Sequence, residues 1–141
     1  MISIYGAVNN LSYGLVTINL VDALYKLNRY VQLYPINPHN IECESKYQEN
    51  IRHSLERAKM FSSYMPCVKI WHQWEHSIFP DNNLRVGFPI FELDRLTNLE
   101  KWNLNSLDLL LVCSHWAATV CEENNIKVRT IYNKDNNSWY V

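Results

Sequence analysis

The sequence predicts an α/β domain with a Rossmann-like parallel sheet of about six strands and helices on both faces. Strand-like apolar runs alternate along the chain with segments of helical periodicity, which is typical of right-handed β-α-β crossovers. The run at residues 107–113 is almost continuously apolar, as expected for a strand covered on both faces. With 141 residues, of which 48% are hydrophobic, the chain can bury the core of a single domain spanning residues 1–141.

Each predicted element depends on its own spacing of apolar residues. The first helix has apolar residues at every third or fourth position, namely Val16, Leu20, Leu24 and Leu27, and Asn28 is expected to end it. Further helices are predicted at 45–62 and 114–123, and strands at 2–8, 30–34, 67–71, 86–91, 107–113 and 128–132. Pro89 removes a ladder hydrogen bond, so the fourth strand is an edge strand, is bulged or is shorter than its run.

Composition excludes several classes of protein. The formal net charge of −1 argues against a broad basic face for nucleic acid. The longest apolar run, at 109–113, is too short to cross a bilayer, and the first residues lack the basic and apolar segments of a signal peptide. The four cysteines form no C-x-x-C pair, so we expect them to be reduced and structural. We therefore predict a cytoplasmic protein.

The carboxyl ends of parallel strands are where ligands bind in such sheets. The segments predicted to reach that edge are 9–14, 72–76, 92–95 and 114–116, and they hold much of the chain's unusual chemistry. The candidate binding residues in or beside these segments are Ser12, Tyr13, Gly14, Trp71, Gln73, Trp74, Glu75, Glu92, Asp94, Arg95 and Ser114, with His72 as the candidate catalytic residue.

The first of these segments, at 9–14, joins the first strand to the first helix. Gly14 would let the backbone approach a ligand closely, and a helix start offers free N–H groups to an anion. The segment lacks the glycines of a dinucleotide-binding turn. An ordinary turn with Ser12 as the helix cap therefore remains an alternative. Ser114 is likewise expected to cap the helix at 114–123.

The segment at 71–76 supports two functional interpretations. As H-x-x-E-H it matches a zinc hydrolase pattern, with His72 and His76 as ligands and Glu75 as the base, but those ligands must share one face of a helix. Because the segment follows a strand, we expect no metal there. A histidine at a strand end can instead bind sugar hydroxyls beside the apolar faces of Trp71 and Trp74. Simple packing of these side chains in the core is the third interpretation.

The segment at 92–95 ends the strand that contains the proline. Glu92, Asp94 and Arg95 could bind hydroxyls, and the two carboxylates could act as an acid and base pair. A surface ion pair between Asp94 and Arg95 is the commoner outcome for such neighbours.

The order of these motifs resembles a known family. The landmarks are SYG at 12–14, NL and AL at 19–20 and 23–24, WHQWE at 71–75, GFPIFELDRL at 87–96 and DLLLVCSHWA at 108–117. Together they look like the N-terminal domain of GT-B-fold glycosyltransferases, the retaining enzymes of the group 1 or family 4 type that use nucleotide-sugars. The resemblance covers essentially the whole chain, and the last block and the histidine block are its most specific parts.

The resemblance implies an acceptor-binding domain whose C-terminal, donor-binding partner domain is absent from this chain. It implies that His72 contacts the donor sugar near the reacting carbon, that Gly14 lies near the donor phosphates, and that no cofactor or metal is needed. The implied partners are a sugar or glycan acceptor and, through the second domain, a nucleotide-sugar. Self-association through the face left open by that domain is a further expectation.

Three functions follow, in order of preference. The first is the acceptor-binding half of a glycosyltransferase, inactive without a second domain. The second is a non-catalytic sugar- or partner-binding module derived from such a half. The third and weakest is a zinc hydrolase that uses His72, Glu75 and His76.

Overall fold

A computed structural model describes residues 1–60, 64–80, 84–126, 132–133 and 138–139 of this chain. It is an α/β fold, as the sequence predicts. The elements in chain order are β1 (Ile2–Gly6), α1 (Ser12–Lys26), β2 (Val31–Pro35), α2 (Ser45–Ala58), β3 (Cys67–His72), β4 (Arg85–Ile90), α3 (Asn98–Asn105), β5 (Leu109–Leu110), α4 (His115–Glu123), β6 (Tyr132–Asn133) and β7 (Ser138–Trp139).

Five of the strands form one sheet in the order β2-β1-β3-β4-β5, and every neighbouring pair is parallel. Ile4 on β1, for example, pairs with Leu33 on β2 and with Val68 on β3. β2 lies on one side of β1 and β3 on the other, so the strand order reverses between β1 and β3. The Rossmann-like parallel sheet is therefore confirmed, and five of its strands lie in the described residues.

The predicted strand at 128–132 overlaps the described residues only at Tyr132. Within the described residues, Tyr132–Asn133 pairs antiparallel with Ser138–Trp139 in a separate two-stranded ladder. Residues 127–131, which hold most of the predicted strand, lie outside the described residues.

The fifth strand is also shorter than predicted, because only Leu109–Leu110 pairs with β4. The rest of the apolar run packs elsewhere: Leu107 and Val112 belong to the core beneath α3 and α4. The shortness of β5 explains why a proline is tolerated at position 89 of β4. Since β5 pairs only with Val86 and Gly87, β4 has no neighbour on that side at Pro89, and the missing N–H costs no ladder bond.

Helices cover both faces of the sheet. Leu109 and Leu110 point to opposite faces because side chains alternate along a strand. Leu109 packs against the core that α1 covers, whereas Leu110 belongs to the core formed with α3 and α4. In the first core, Ile4 and Leu33 are fully buried. Burial of each such side chain contributes about 1.5–3 kcal/mol.

The helix ends follow from local sequence. Asn28 has a positive φ of 56° just after α1, which confirms it as the helix end. Helix α3 was not predicted from the sequence. Thr97 caps this helix: its hydroxyl accepts from the backbone N–H of Glu100, whose carboxylate binds the Thr97 N–H in return. No helix in the described part of the chain is long and apolar enough to cross a membrane.

Candidate functional site

Three side chains from neighbouring strand ends meet at the carboxyl edge of the sheet. Tyr13 lies in the first turn of α1, the helix that follows β1; His72 is the last residue of β3; and Glu92 follows β4. Because β1, β3 and β4 are adjacent, their carboxyl ends lie side by side. The group flanks the point where the strand order reverses, which is the usual ligand position in such sheets.

The Tyr13 hydroxyl joins the other two residues. It lies 2.5 Å from His72 Nδ1 and donates a hydrogen bond to Glu92 Oε1. His72 Nδ1 and Glu92 Oε1 are themselves 3.6 Å apart. We call these three residues, Tyr13, His72 and Glu92, the edge triad. The sequence predicted each as a site residue, and the structure brings them together.

Aromatic rings surround His72. Its imidazole stacks on the indole of Trp74, with ring centroids 3.8 Å apart and planes inclined by 11°. Trp71 and Tyr13 contact the imidazole edge-on, with centroids 4.9 and 4.2 Å away. Trp74 is nevertheless 44% exposed. The predicted pair of tryptophans therefore lies against the triad, and one of them presents an apolar surface to solvent.

Burial favours the uncharged forms of two triad residues, His72 and Tyr13, by shifting their pKa values. It lowers the pKa of His72, and the Glu92 carboxylate opposes this effect. Burial also raises the pKa of Tyr13, an effect that the hydrogen bond to Glu92 reinforces. Both shifts favour an uncharged imidazole and a protonated hydroxyl near neutral pH.

Gln73 and Glu75 support the loop that follows β3. Gln73 is fully buried, and its side-chain oxygen accepts from the backbone N–H of Glu92, which ties this loop to the end of β4. Glu75 pairs with Lys69 at 2.6 Å, and Lys69 also donates to the carbonyl of Ile78. These two predicted binding residues thus fix the loop that carries His72 and Trp74.

Lys69, whose side chain has no exposed surface, was not predicted from the sequence as a site residue. Burial lowers its pKa, while the Glu75 carboxylate opposes this shift. A lysine within the apolar strand sequence Cys-Val-Lys-Ile-Trp is the signal that could have revealed it, since lysine is rarely buried without a partner.

His76 lies in the same loop and is 1% exposed. Neither ring nitrogen has a hydrogen-bond partner of normal geometry in the described part of the chain. Burial and the Lys69 charge lower its pKa to about 3, despite an opposing contribution from the Trp71 backbone. His76 is therefore a neutral, buried side chain.

The helical arrangement that zinc binding would need is not present. Trp71 and His72 are strand residues, and Gln73 and Trp74 form a turn, so His72 and His76 do not lie one turn apart on a helix. Among the described residues, no group of three or more His, Cys, Asp or Glu side chains could hold a metal ion.

Gly14 and Ser12 lie beside the triad without joining it. A Cβ atom at Gly14 would collide with the backbone N and O atoms and the side-chain oxygen of Asn9. Tight packing of α1 on the preceding loop therefore suffices to require glycine. Ser12 is exposed, and the residue at the cap position is Leu11, so the expected Ser12 cap is wrong.

The remaining predicted residues have other surroundings. Ser114 caps α4, as expected, by accepting from the Ala117 N–H at 3.1 Å. Asp94 and Arg95 are exposed, and the described contact at this point is the Asp94 carbonyl, which accepts from Asn124 at 3.0 Å.

A separate cavity of about 600 Å³ lies between α2 and the segment after β2. Ile51 and Leu55 form part of its wall, with Cys43 beside them, and no member of the edge triad lines it. We regard the triad as the candidate site because its polar groups converge, whereas this cavity is wide and shallow.

The edge triad offers a neutral imidazole, a hydroxyl and a carboxylate next to an exposed indole face. That combination suits a neutral ligand that has several hydroxyl groups and an apolar face. No protein-family model, curated protein or solved structure matches this chain.

Proposed function

We propose that this chain is the acceptor-side half of a glycosyltransferase, which moves a sugar from a nucleotide-sugar to an acceptor held at the carboxyl edge of the sheet. The observation that supports this most strongly is the contact of Tyr13, His72 and Glu92 beside the exposed Trp74. Sugars combine hydroxyl groups with apolar ring faces, and this site offers partners for both.

In this proposal His72 contacts the sugar and Trp74 packs against its apolar face. The pocket for the nucleotide lies in a second, donor-binding domain, in line with the family that the sequence resembles. Much of the rate of such a transfer comes from holding donor and acceptor together and from stabilising the leaving diphosphate. This chain alone is therefore expected to be inactive.

A non-catalytic sugar-binding module is the second candidate. It is favoured by the exposed indole of Trp74, 44% accessible, because an aromatic face beside polar groups can bind a saccharide without any second domain. Both candidates predict saccharide binding. Only the first predicts that transfer appears when a donor-binding domain is joined to the chain and is lost in His72→Ala.

We also propose a cytoplasmic location. All four cysteines lie in the described part of the chain, and none forms a disulfide. Thiols in this state fit a reducing compartment.

Calorimetric titration of the chain with uridine-, guanosine- and adenosine-diphosphate sugars tests whether the donor-binding site lies outside this half. The proposal predicts no binding tighter than millimolar, because one wall of an open cleft does not supply the nucleotide pocket. Micromolar binding, which requires about 8 kcal/mol, would show that the donor site lies on this half and would refute the assignment.

A further inference from the structure

Each atom of the edge triad can donate or accept only a limited number of hydrogen bonds. A tyrosine hydroxyl has one proton and can also accept, whereas an ionised carboxylate can only accept. The Tyr13 hydroxyl donates its proton to Glu92 Oε1. It must therefore accept from its other neighbour, His72 Nδ1, which lies 2.5 Å away.

We propose that Tyr13 and Glu92 are positioning residues, which hold His72 as the tautomer protonated on Nδ1 and leave Nε2 as an acceptor for a ligand hydroxyl. A neutral imidazole carries one proton, so a proton on Nδ1 leaves a lone pair on Nε2. The contacts with Tyr13 and Glu92 use Nδ1, and 18% of the His72 side chain is exposed, so a ligand can reach the ring.

The surrounding rings keep this orientation. The Trp74 indole covers one face of the imidazole, and Tyr13 and Trp71 pack against its edges. A ring flip would place the carbon Cδ2 where Nδ1 lies and break the hydrogen bond to Tyr13. The direction of the Nε2 lone pair is therefore fixed before a ligand arrives, which reduces the entropy lost on binding.

The tautomer limits what can bind. A lone pair attracts a hydrogen-bond donor, such as a sugar hydroxyl, and repels the oxygens of a phosphate or carboxylate. His72 therefore selects a hydroxyl group and not a charged leaving group. The identity of that hydroxyl as part of a sugar rests on the proposed function, but the tautomer does not.

The test is nitrogen-15 NMR of the ligand-free chain labelled at histidine, with the His72 signals assigned from His72→Gln. Protonated and bare ring nitrogens differ in chemical shift, so each tautomer is read directly. We expect a protonated Nδ1 and a bare Nε2 at neutral pH. A proton on Nε2 in the wild-type chain would overturn the proposal.

Two variants identify what sets the tautomer. Tyr13→Phe keeps the ring but removes the acceptor oxygen, and Glu92→Ala frees the Tyr13 proton; each is expected to lower the fraction protonated on Nδ1. Tyr47→Phe, which removes a hydroxyl that binds Asn19, is the control and should change nothing. An unchanged His72 spectrum in both test variants would refute the positioning role. Because no ligand is present, failure of this inference is distinguishable from failure of the proposed function.

Discussion

The imidazole of His72 lies flat on the indole of Trp74, with ring centroids 3.8 Å apart. The two residues are separated by one position, Gln73, which is buried and bonded to the start of the neighbouring loop at Glu92. The stack therefore depends on a turn that the hydrogen bond between Gln73 and Glu92 holds in place. The stack links the end of β3 to a surface that a ligand can reach.

The buried His76 makes the domain sensitive to acid. Its pKa falls from an ordinary value of 6.5 to about 3, so the unfolded chain binds a proton first as the pH decreases. The contribution of His76 to stability is complete above pH 6.5 and is lost as the pH falls towards 3, at about 1.4 kcal/mol per pH unit. Urea denaturation of His76→Asn should show a shallower dependence of stability on pH. His39→Asn, at an exposed position, is the control. Identical slopes for wild type and His76→Asn would contradict this account.

The buried ion pair should respond asymmetrically to mutation. Glu75→Gln leaves the Lys69 ammonium buried and uncompensated, whereas Lys69→Met leaves a carboxylate that is 35% exposed and can be hydrated. We expect Glu75→Gln to cost about 1–3 kcal/mol and Lys69→Met to cost less. Chemical denaturation at neutral pH measures both. A larger loss in Lys69→Met would mean that packing of its stem outweighs its charge.

Gly14→Ala should destabilise the chain because the new methyl group collides with the Asn9 backbone. The expected loss is about 1–3 kcal/mol, as for other overpacked sites. Gly87→Ala is a matched comparison, since its methyl group meets the movable end of the Leu107 side chain, and it should cost less. If Gly14→Ala left the free energy of unfolding unchanged, packing would not explain this glycine, and a contact with ligand would become the better explanation.

The sequence predicted the sheet well because its strands depend on local apolar runs. The predicted length of β5 was too great. Residues such as Val112 are apolar because they pack in the core beneath α4, and they do not pair with β4. Helix α3 was not predicted, although Thr97 and Glu100 have the spacing of a capping box.

For the site, the sequence predicted Tyr13, His72 and Glu92 separately. Their mutual contacts depend on strand order, which a pattern of apolar residues does not specify. The loop after β3 was predicted as a ligand-binding surface, but several of its side chains have structural roles. Gln73 and His76 are buried, and Glu75 forms an ion pair with the buried ammonium group of Lys69. Those roles depend on contacts between the loop and the strands, such as Glu75 with Lys69 on β3 and His76 near Gly87 on β4, which the sequence pattern does not specify.

Titration of the chain with mono- and oligosaccharides, observed through the tryptophan indole N–H signals, tests the central claim most directly. We predict millimolar binding, about 4 kcal/mol, that shifts Trp74 and Trp71 and leaves Trp102 unchanged. Trp74→Ala should abolish the response, whereas Trp102→Ala, at a more exposed indole on α3, should retain it. No response to any saccharide well above millimolar concentration, or a response at Trp102 alone, would contradict the assignment of the edge triad as a sugar-binding site.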